Sequence, residues 1–190
     1  ASDLRGRLPS EDTLVGVGVA VVGVVRRSDG MVSVAPNLGW RDEPLGEVLS
    51  AALGMDRVPI AFANESDLAI LAEHRRGAAR DVDDVLLVWG SIGVGGGLIV
   101  DGRPLIGAAG YGGEVGHIPV NPDGLPCRCG SIGCWETEVG TMALLRRAGR
   151  SPEAGRDAFD ALLAEAEAGD PVALDAFADT ARWLGIGLAG

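Results

Sequence analysis

The chain has 190 residues, of which 47% are hydrophobic, a content that supports a folded core and excludes a largely disordered protein. Its formal charge is −11, and this acidic surface argues against direct binding of a nucleic-acid backbone. No apolar run reaches the roughly 18 residues that a membrane span requires, and no secretory signal follows Ala1, so a cytoplasmic location without membrane attachment is expected.

Strand patterns are concentrated in the first two thirds of the chain. Apolar and β-branched runs bounded by turn residues predict strands over residues 13–25 (as one strand or two), 31–34, 58–62, 83–88 and 98–100. The glycine-rich segment 93–97 is predicted as a loop, and Asp101-Gly102 as a hairpin turn. Helical spacing of apolar residues predicts helices over 45–53 and 66–76.

The last third of the chain has helical patterns, over residues 137–148, 155–168 and from 171 onward. Strands and helices in one chain of this length predict an α/β fold. Residues 1–12 are polar and contain proline, and the last helical pattern is still incomplete at Gly190. We therefore expect a fold that is truncated at both ends.

All three cysteines lie in one short segment together with a histidine: His117, Cys127, Cys129 and Cys134. Three thiolates and one imidazole make a complete tetrahedral set for Zn²⁺, which leaves no open coordination position and predicts a structural metal. The alternatives are a disulfide, which an odd number of cysteines in a cytoplasmic chain disfavours, and three free buried thiols, which a loop rich in Gly and Arg disfavours.

Two carboxylates flank this cluster. Glu114 lies three residues before His117, and Glu136 lies two residues after Cys134. A metal-bound imidazole donates its second N–H in a fixed direction, and carboxylates accept hydrogen bonds from vicinal hydroxyl groups. This combination predicts a polyol-binding site; the alternative is that both glutamates are simply solvated.

The segment "GVGGGLIVDGRPLIGAAGYGGEVGHIPVNPDGLPCRCGSIGCWETEVG" resembles the signature region of the ROK family (repressors, open reading frames, sugar kinases), and "APNLGW" and "NESDLAILAEHRRGA" extend the resemblance. The resemblance implies an actin/hexokinase-like (ribonuclease H-like) fold with two lobes. Residues 1–62 would be the remainder of the N-terminal lobe, and residues 63–190 the C-terminal lobe with the sugar site and the metal loop.

The same resemblance implies a structural zinc ion whose histidine also faces a sugar. Transferred by motif position, the sugar ligands would be Asn64, Glu65, Glu114, His117 and Glu136, with Asn37 as a further candidate. The metal ligands would be His117, Cys127, Cys129 and Cys134.

The family contains both sugar kinases and transcriptional regulators, and the sequence departs from the kinase pattern. Glu65 occupies the position of the kinase's aspartate base, and an extra methylene would move the carboxylate by about 1 Å, which can cost on the order of 100-fold in rate. Ile92 replaces a threonine of the phosphate loop. An Asp-x-Gly-Gly-Thr turn and the adenosine-binding segment are absent from the sequence.

These departures lead to the expectation that the chain is not an enzyme but the sugar-sensing domain of a ROK-type transcriptional regulator. Sugar bound between the lobes would shift the conformation of a homodimer, and DNA would be bound by a helix-turn-helix that precedes Ala1. The alternatives are an ATP-dependent, glucokinase-like sugar kinase with Glu65 as its base, and a zinc-stabilised interaction domain without a small ligand.

Overall fold

The computed structural model describes residues 15–53, 58–90, 93–107 and 111–190. They form two compact units, each with a sheet and helices, which confirms the predicted α/β class. The first unit comprises the described residues up to Asp81 and those of Ile106–Gly112, and the second comprises those of Val82–Leu105 and Gly113–Gly190. The expected lobes, residues 1–62 and 63–190, stay a prediction.

In the first unit β-strands precede each of the two described α-helices along the chain. Its elements are β1 (Val17–Val21), β2 (Val24–Val25), β3 (Met31–Ala35), β4 (Trp40–Pro44), α1 (Leu45–Leu53), β5 (Ile60–Asn64) and α2 (Glu65–Arg76). Strand β1 pairs in parallel with β5, and β2, β3 and β4 form an antiparallel sheet. The buried core of this unit is made of small and β-branched side chains with one aromatic ring: Val21, Val25, Val32, Ala35 and Phe62.

Strand β4 is an element that the sequence pattern does not predict. Its central residues Arg41, Asp42 and Glu43 are charged and exposed, so the strand lacks the alternation of a half-buried strand. Among the described strands it pairs only with β3, at the edge of the sheet, where charged side chains are common because they oppose further strand pairing. The predicted helix over 45–53 is confirmed.

The second unit carries an antiparallel sheet followed by helices. Its elements are β6 (Val85–Gly90), β7 (Val94–Val100), β8 (Arg103–Pro104), α3 (Trp135–Val139), α4 (Thr141–Arg147), α5 (Gly155–Glu167) and α6 (Pro171–Ala189). The strand order is β6-β7-β8, and the predicted turn at Asp101-Gly102 joins the last two strands. Most of the segment predicted as a glycine-rich loop belongs to β7, because Val94 to Gly97 pair with residues of β6.

The helix predicted over 137–148 is two helices, separated at Gly140. This residue has an extended conformation, with φ −67° and ψ 162°, so the chain turns between α3 and α4. Helices α4, α5 and α6 enclose one core around Leu145 and Leu162, and Trp135 packs with Val94 in another. None of the described helices combines the length and apolar character needed to cross a membrane.

Candidate metal centre and its surroundings

The structure brings the four predicted metal ligands together in the second unit. Their ligand atoms, one nitrogen of His117 and the sulfurs of Cys127, Cys129 and Cys134, all lie within 4.8 Å of one another. The His117 Nδ1 atom lies 3.6 Å from the Cys127 Sγ atom, and the Cys129 and Cys134 sulfurs lie 3.6 Å apart. All three thiols are free in the structure, which argues against the disulfide alternative.

Short backbone hydrogen bonds shape the loop that carries the ligands. The Cys127 N–H donates to the Ser131 carbonyl at 2.8 Å, which closes a tight turn around Cys129. The Gly133 N–H donates to the Leu125 carbonyl at 2.9 Å. Gly133 has a φ of +64°, and a Cβ at this position would overlap the Asn121 carbonyl, so only glycine fits there.

The donor set fits Zn²⁺. With Zn–S near 2.3 Å and Zn–N near 2.0–2.1 Å, a tetrahedral site has ligand–ligand edges of about 3.6 Å between N and S and about 3.8 Å between two sulfurs. The distances from His117 Nδ1 to Cys127 Sγ and from Cys129 Sγ to Cys134 Sγ, both 3.6 Å, are close to these values. The four residues can therefore supply all four ligands of a tetrahedral metal ion.

Burial opposes ionisation of two of these thiols. Desolvation raises the pKa of Cys134 to about 12 and also raises the pKa of Cys127. A soft divalent cation supplies the positive charge that keeps such buried thiols ionised, because metal binding displaces their protons. The cluster is therefore chemically suited to a metal rather than to three uncompensated thiolates.

Glu114 lies next to the other nitrogen of His117. The Nδ1 atom of the imidazole faces the cysteines, and its Nε2 atom lies 3.9 Å from the Glu114 Oε2 atom. Both side chains are about one third exposed, at 32% each, so a ligand can reach them. An imidazole held by a metal on one nitrogen and directed outward on the other is the arrangement that the sequence predicts.

Glu136 lies between the cluster and the glycine-rich strand. Its Oε1 atom is 3.9 Å from the Cys127 Sγ atom, and its Oε2 atom accepts a 3.0 Å hydrogen bond from the Val94 N–H at the start of β7. A Cβ at Gly93 would overlap this carboxylate, so the glycine leaves room for it. Of the predicted sugar ligands, Glu114 and Glu136 thus lie beside the candidate metal cluster, and His117 belongs to it.

Asn64 and Glu65 belong to the first unit, at the junction of β5 and α2. The Asn64 side chain caps α2 by accepting from the Ser66 N–H at 2.7 Å and donates to the Gly23 carbonyl at 2.9 Å. Glu65 is exposed in the first turn of α2, and within the described residues its carboxylate makes no hydrogen bond or ion pair. Their role as sugar ligands stays a prediction.

Two residues singled out from the sequence remain, Asn37 and Ile92. Asn37 is exposed in a one-turn 3₁₀ helix, Pro36–Leu38, that precedes β4. Ile92, the residue that replaces a threonine of the kinase phosphate loop, lies outside the described residues.

A buried polar network beside the metal loop is absent from the sequence prediction. Glu138 is only 5% exposed, and both of its carboxylate oxygens are bonded: Oε1 accepts from Asn121 at 2.8 Å, and Oε2 from Arg147 at 2.8 Å. Arg147 also contacts Asp179 and Thr180 of α6. The partners are distant in the chain, so no local motif identifies them.

The fold and the sequence of this chain are similar to those of known proteins. A crystal structure of a ROK family glucokinase from Streptomyces griseus in complex with glucose and AMPPNP matches with a TM-score of 0.80 and 34% identity, over 94% of this chain and 62% of that one. The likeness confirms the actin/hexokinase-like fold. Residues 6–190 match the sequence profile of the ROK family, and the chain belongs to that family.

Both branches of the family are found among the curated relatives. The glucokinase of Streptomyces coelicolor is 35% identical over 192 residues, which cover 93% of this chain and 60% of the relative. The xylose repressor of Bacillus subtilis is 30% identical over 175 residues, which cover 92% of this chain and 44% of the relative. The chain therefore spans less than two thirds of the length of either.

The expectation that the chain is not an enzyme is wrong, because the comparisons point to a kinase: the glucokinases match at 34–35% identity. Of the three departures that led to it, two are not decisive. Glu65 keeps a carboxylate at the position of the base, although on a longer side chain. The missing phosphate and adenosine segments reflect which part of its relatives the chain spans.

Proposed function

We propose that the chain is the sugar-binding part of an ATP-dependent, glucokinase-like sugar kinase of the ROK family. The observation that carries the proposal is the Glu65 carboxylate, exposed at the start of α2 directly after β5. Asn64, Glu114, His117 and Glu136 are the proposed sugar ligands. A neutral sugar suits this set, since carboxylates accept from its hydroxyl groups and the imidazole N–H donates to one.

In the proposed reaction Glu65 removes the proton from a sugar hydroxyl as its oxygen attacks the γ-phosphorus of ATP. The bond from this phosphorus to the bridging oxygen breaks, and ADP leaves. The protein's task in such a transfer is mainly to position the hydroxyl and to stabilise charge. The glutamate side chain is one methylene longer than that of aspartate. The acceptor hydroxyl of the sugar would therefore have to bind at a correspondingly shifted position.

Zn²⁺ is proposed as a structural ion held by His117, Cys127, Cys129 and Cys134. The ion would supply positive charge that keeps the three thiols ionised and fixes the Nδ1 side of the imidazole. The Nε2–H group of His117, whose nitrogen lies 3.9 Å from the Glu114 Oε2 atom, would then be a hydrogen-bond donor with a fixed direction.

The test is ADP release by the protein at full length, with ATP, Mg²⁺ and a panel of glucose, other neutral hexoses, pentoses and amino sugars. Glu65→Gln should lower kcat by at least about 100-fold, and Glu65→Asp should retain measurable turnover. The control is Glu47→Gln, because Glu47 is also an exposed acid in the first turn of a helix, α1, of the same unit. Equal turnover of Glu65→Gln and the unchanged protein would exclude Glu65 as the base.

A sugar-responsive transcriptional regulator is the second candidate function. Glu65 favours it, because it stands where the kinases of the family have an aspartate. The match to a xylose repressor over 92% of the chain also favours it. The net charge of −11 means that DNA would have to be bound by another segment. A protein that releases no ADP, but whose melting temperature rises with a sugar and whose DNA affinity depends on that sugar, would be this regulator.

The third possibility, a zinc-stabilised interaction domain, predicts no sugar binding at all. Substituting Glu114 or Glu136 would then change nothing in a sugar titration. The homodimer and the cytoplasmic location stay predictions; analytical ultracentrifugation of the full-length protein tests the first.

A further inference from the structure

The buried network around Arg147 joins four parts of the second unit. The Arg147 guanidinium donates through Nη2 to the Glu138 carboxylate at 2.8 Å and through Nη1 to the Glu138 carbonyl. Its Nε atom pairs with the Asp179 carboxylate at 2.6 Å, and Nη1 also donates to the Thr180 hydroxyl at 3.2 Å. The Glu138 carboxylate receives its other hydrogen bond from Asn121, in the metal loop.

This arrangement differs from an ordinary surface ion pair. The side chains of Glu138 and Arg147 are 6% and 14% exposed, so both charges are largely removed from water. Desolvating such a pair offsets much of its attraction, and well-packed apolar residues often serve stability as well. In some proteins buried polar groups specify one arrangement of their surroundings, and this role is the one tested below for the network.

The network holds the short helix α3. This helix has only five residues, too few to be stable by its own hydrogen bonds, so its orientation depends on tertiary contacts. Cys134 is its N-cap residue, Glu136 lies in its first turn, and Glu138 is its only carboxylate in the network. Any rotation of α3 about its axis would move the Glu136 carboxylate away from the Val94 N–H.

We propose that Arg147 is a positioning residue for the sugar site: by binding Glu138 and α6 it fixes the rotation of α3, and hence the direction of the Glu136 carboxylate. The inference rests on the proposed role of Glu136 as a sugar ligand. Arg147 itself touches neither the metal ligands nor Glu136 in the described contacts, so its effect is exerted through Glu138.

The experiment compares Arg147→Met with the double variant Glu138→Gln/Arg147→Met in the full-length protein. The double variant leaves no unpaired buried charge, and it remains informative if Arg147→Met alone fails to fold. Arg150→Met is the matched control, because Arg150 also pairs with a carboxylate, Glu165, and donates to the Ala158 carbonyl, away from α3.

Sugar affinity is measured by calorimetry with the sugar that binds most tightly in the panel, well below the melting temperature of every variant. If Arg147 only stabilises the fold, its substitution leaves the sugar affinity of the folded protein unchanged at this temperature. Hydrogen exchange of residues 134–139 is measured on the same samples and requires neither sugar nor turnover.

We expect the double variant to bind sugar about ten-fold more weakly and to exchange faster at residues 134–139, with Arg150→Met unchanged in both. A double variant whose sugar affinity lies within two-fold of the unchanged protein would overturn the positioning role. Absence of sugar binding by the unchanged protein would instead overturn the proposed function, and unaltered exchange at 134–139 would separately show that the network does not hold α3.

Discussion

The Glu136 carboxylate accepts a 3.0 Å hydrogen bond from the backbone N–H of Val94, and this bond links the segment of the candidate metal ligands to the glycine-rich strand β7. Val94 is 7% exposed, so its N–H has little access to water if the carboxylate is removed. Glu136 therefore has a structural partner in addition to its proposed role toward a sugar, and the two roles can be separated by substitution.

Glu136→Ala should lower the free energy of unfolding by about 1–3 kcal/mol, because it leaves the Val94 N–H without an acceptor. Glu136→Gln should cost less, since its amide oxygen can still accept this bond. Both should weaken sugar binding, because neither retains the anionic acceptor. Urea unfolding and calorimetric sugar titration measure the two effects; equal stability of the two variants would contradict the structural part.

Removal of the metal should destabilise the second unit. We expect about one zinc ion per chain by mass spectrometry of metals, and a fall in melting temperature of at least about 10 °C on chelation. Re-addition of Zn²⁺ should restore the transition, whereas Mg²⁺ should not, because thiolates are poor ligands for it. Cys134→Ser should reproduce the chelated state. A chain purified without zinc and unaffected by chelators would rule out the metal site.

Two glycines of α6 provide a matched pair. A Cβ at Gly187 would overlap the ring of Trp135, which is 1% exposed, whereas nothing lies within 4 Å of a Cβ at Gly185. Gly187→Ala should therefore lower the free energy of unfolding by about 1–3 kcal/mol. Gly185→Ala should raise it by up to about 1 kcal/mol, since alanine favours helix. Thermal unfolding followed by circular dichroism compares them, and similar shifts would refute the close contact.

Neighbouring leucines of α5 test the core between α4, α5 and α6. Leu162 is 1% exposed and packs in this core, whereas Leu163 is 40% exposed. Leu162→Ala should cost about 2–5 kcal/mol through lost burial and a cavity, and Leu163→Ala less than about 1 kcal/mol. Urea titration of both variants measures the difference. A larger loss of unfolding free energy for Leu163→Ala would mean that the face of α5 that carries Leu163 is the buried one.

Elements with a clear local pattern were predictable from the sequence. Helix α1 has its apolar residues at helical spacing, and the Asp101-Gly102 turn has the chemistry of a tight hairpin. Where the pattern was weak, tertiary contacts decided the outcome. Strand β7 runs through glycines because β6 pairs with it, although glycine disfavours strands.

Helix α2 shows how a correct element can have a different buried face. The helical spacing of its apolar residues predicts that Leu68, Leu71 and Ala72 share one face. In the structure Ser66 and Ile70 are the buried residues, and Leu68 is 38% exposed. Asn64 caps α2 and also donates to the Gly23 carbonyl, a contact that the helical spacing of the apolar residues does not indicate.

The sequence by itself determined the family and the composition of the candidate metal centre, because all four predicted ligands lie in one short segment whose spacing allows few other chemistries. Only the tertiary structure showed that Val94 holds Glu136 and that Arg147 holds Glu138. Val94 and Glu136 are 42 residues apart, and Glu138 and Arg147 lie on two different helices, so neither contact leaves a periodicity or spacing in the sequence. Burial and hydrogen bonding, which exist only after folding, decide them.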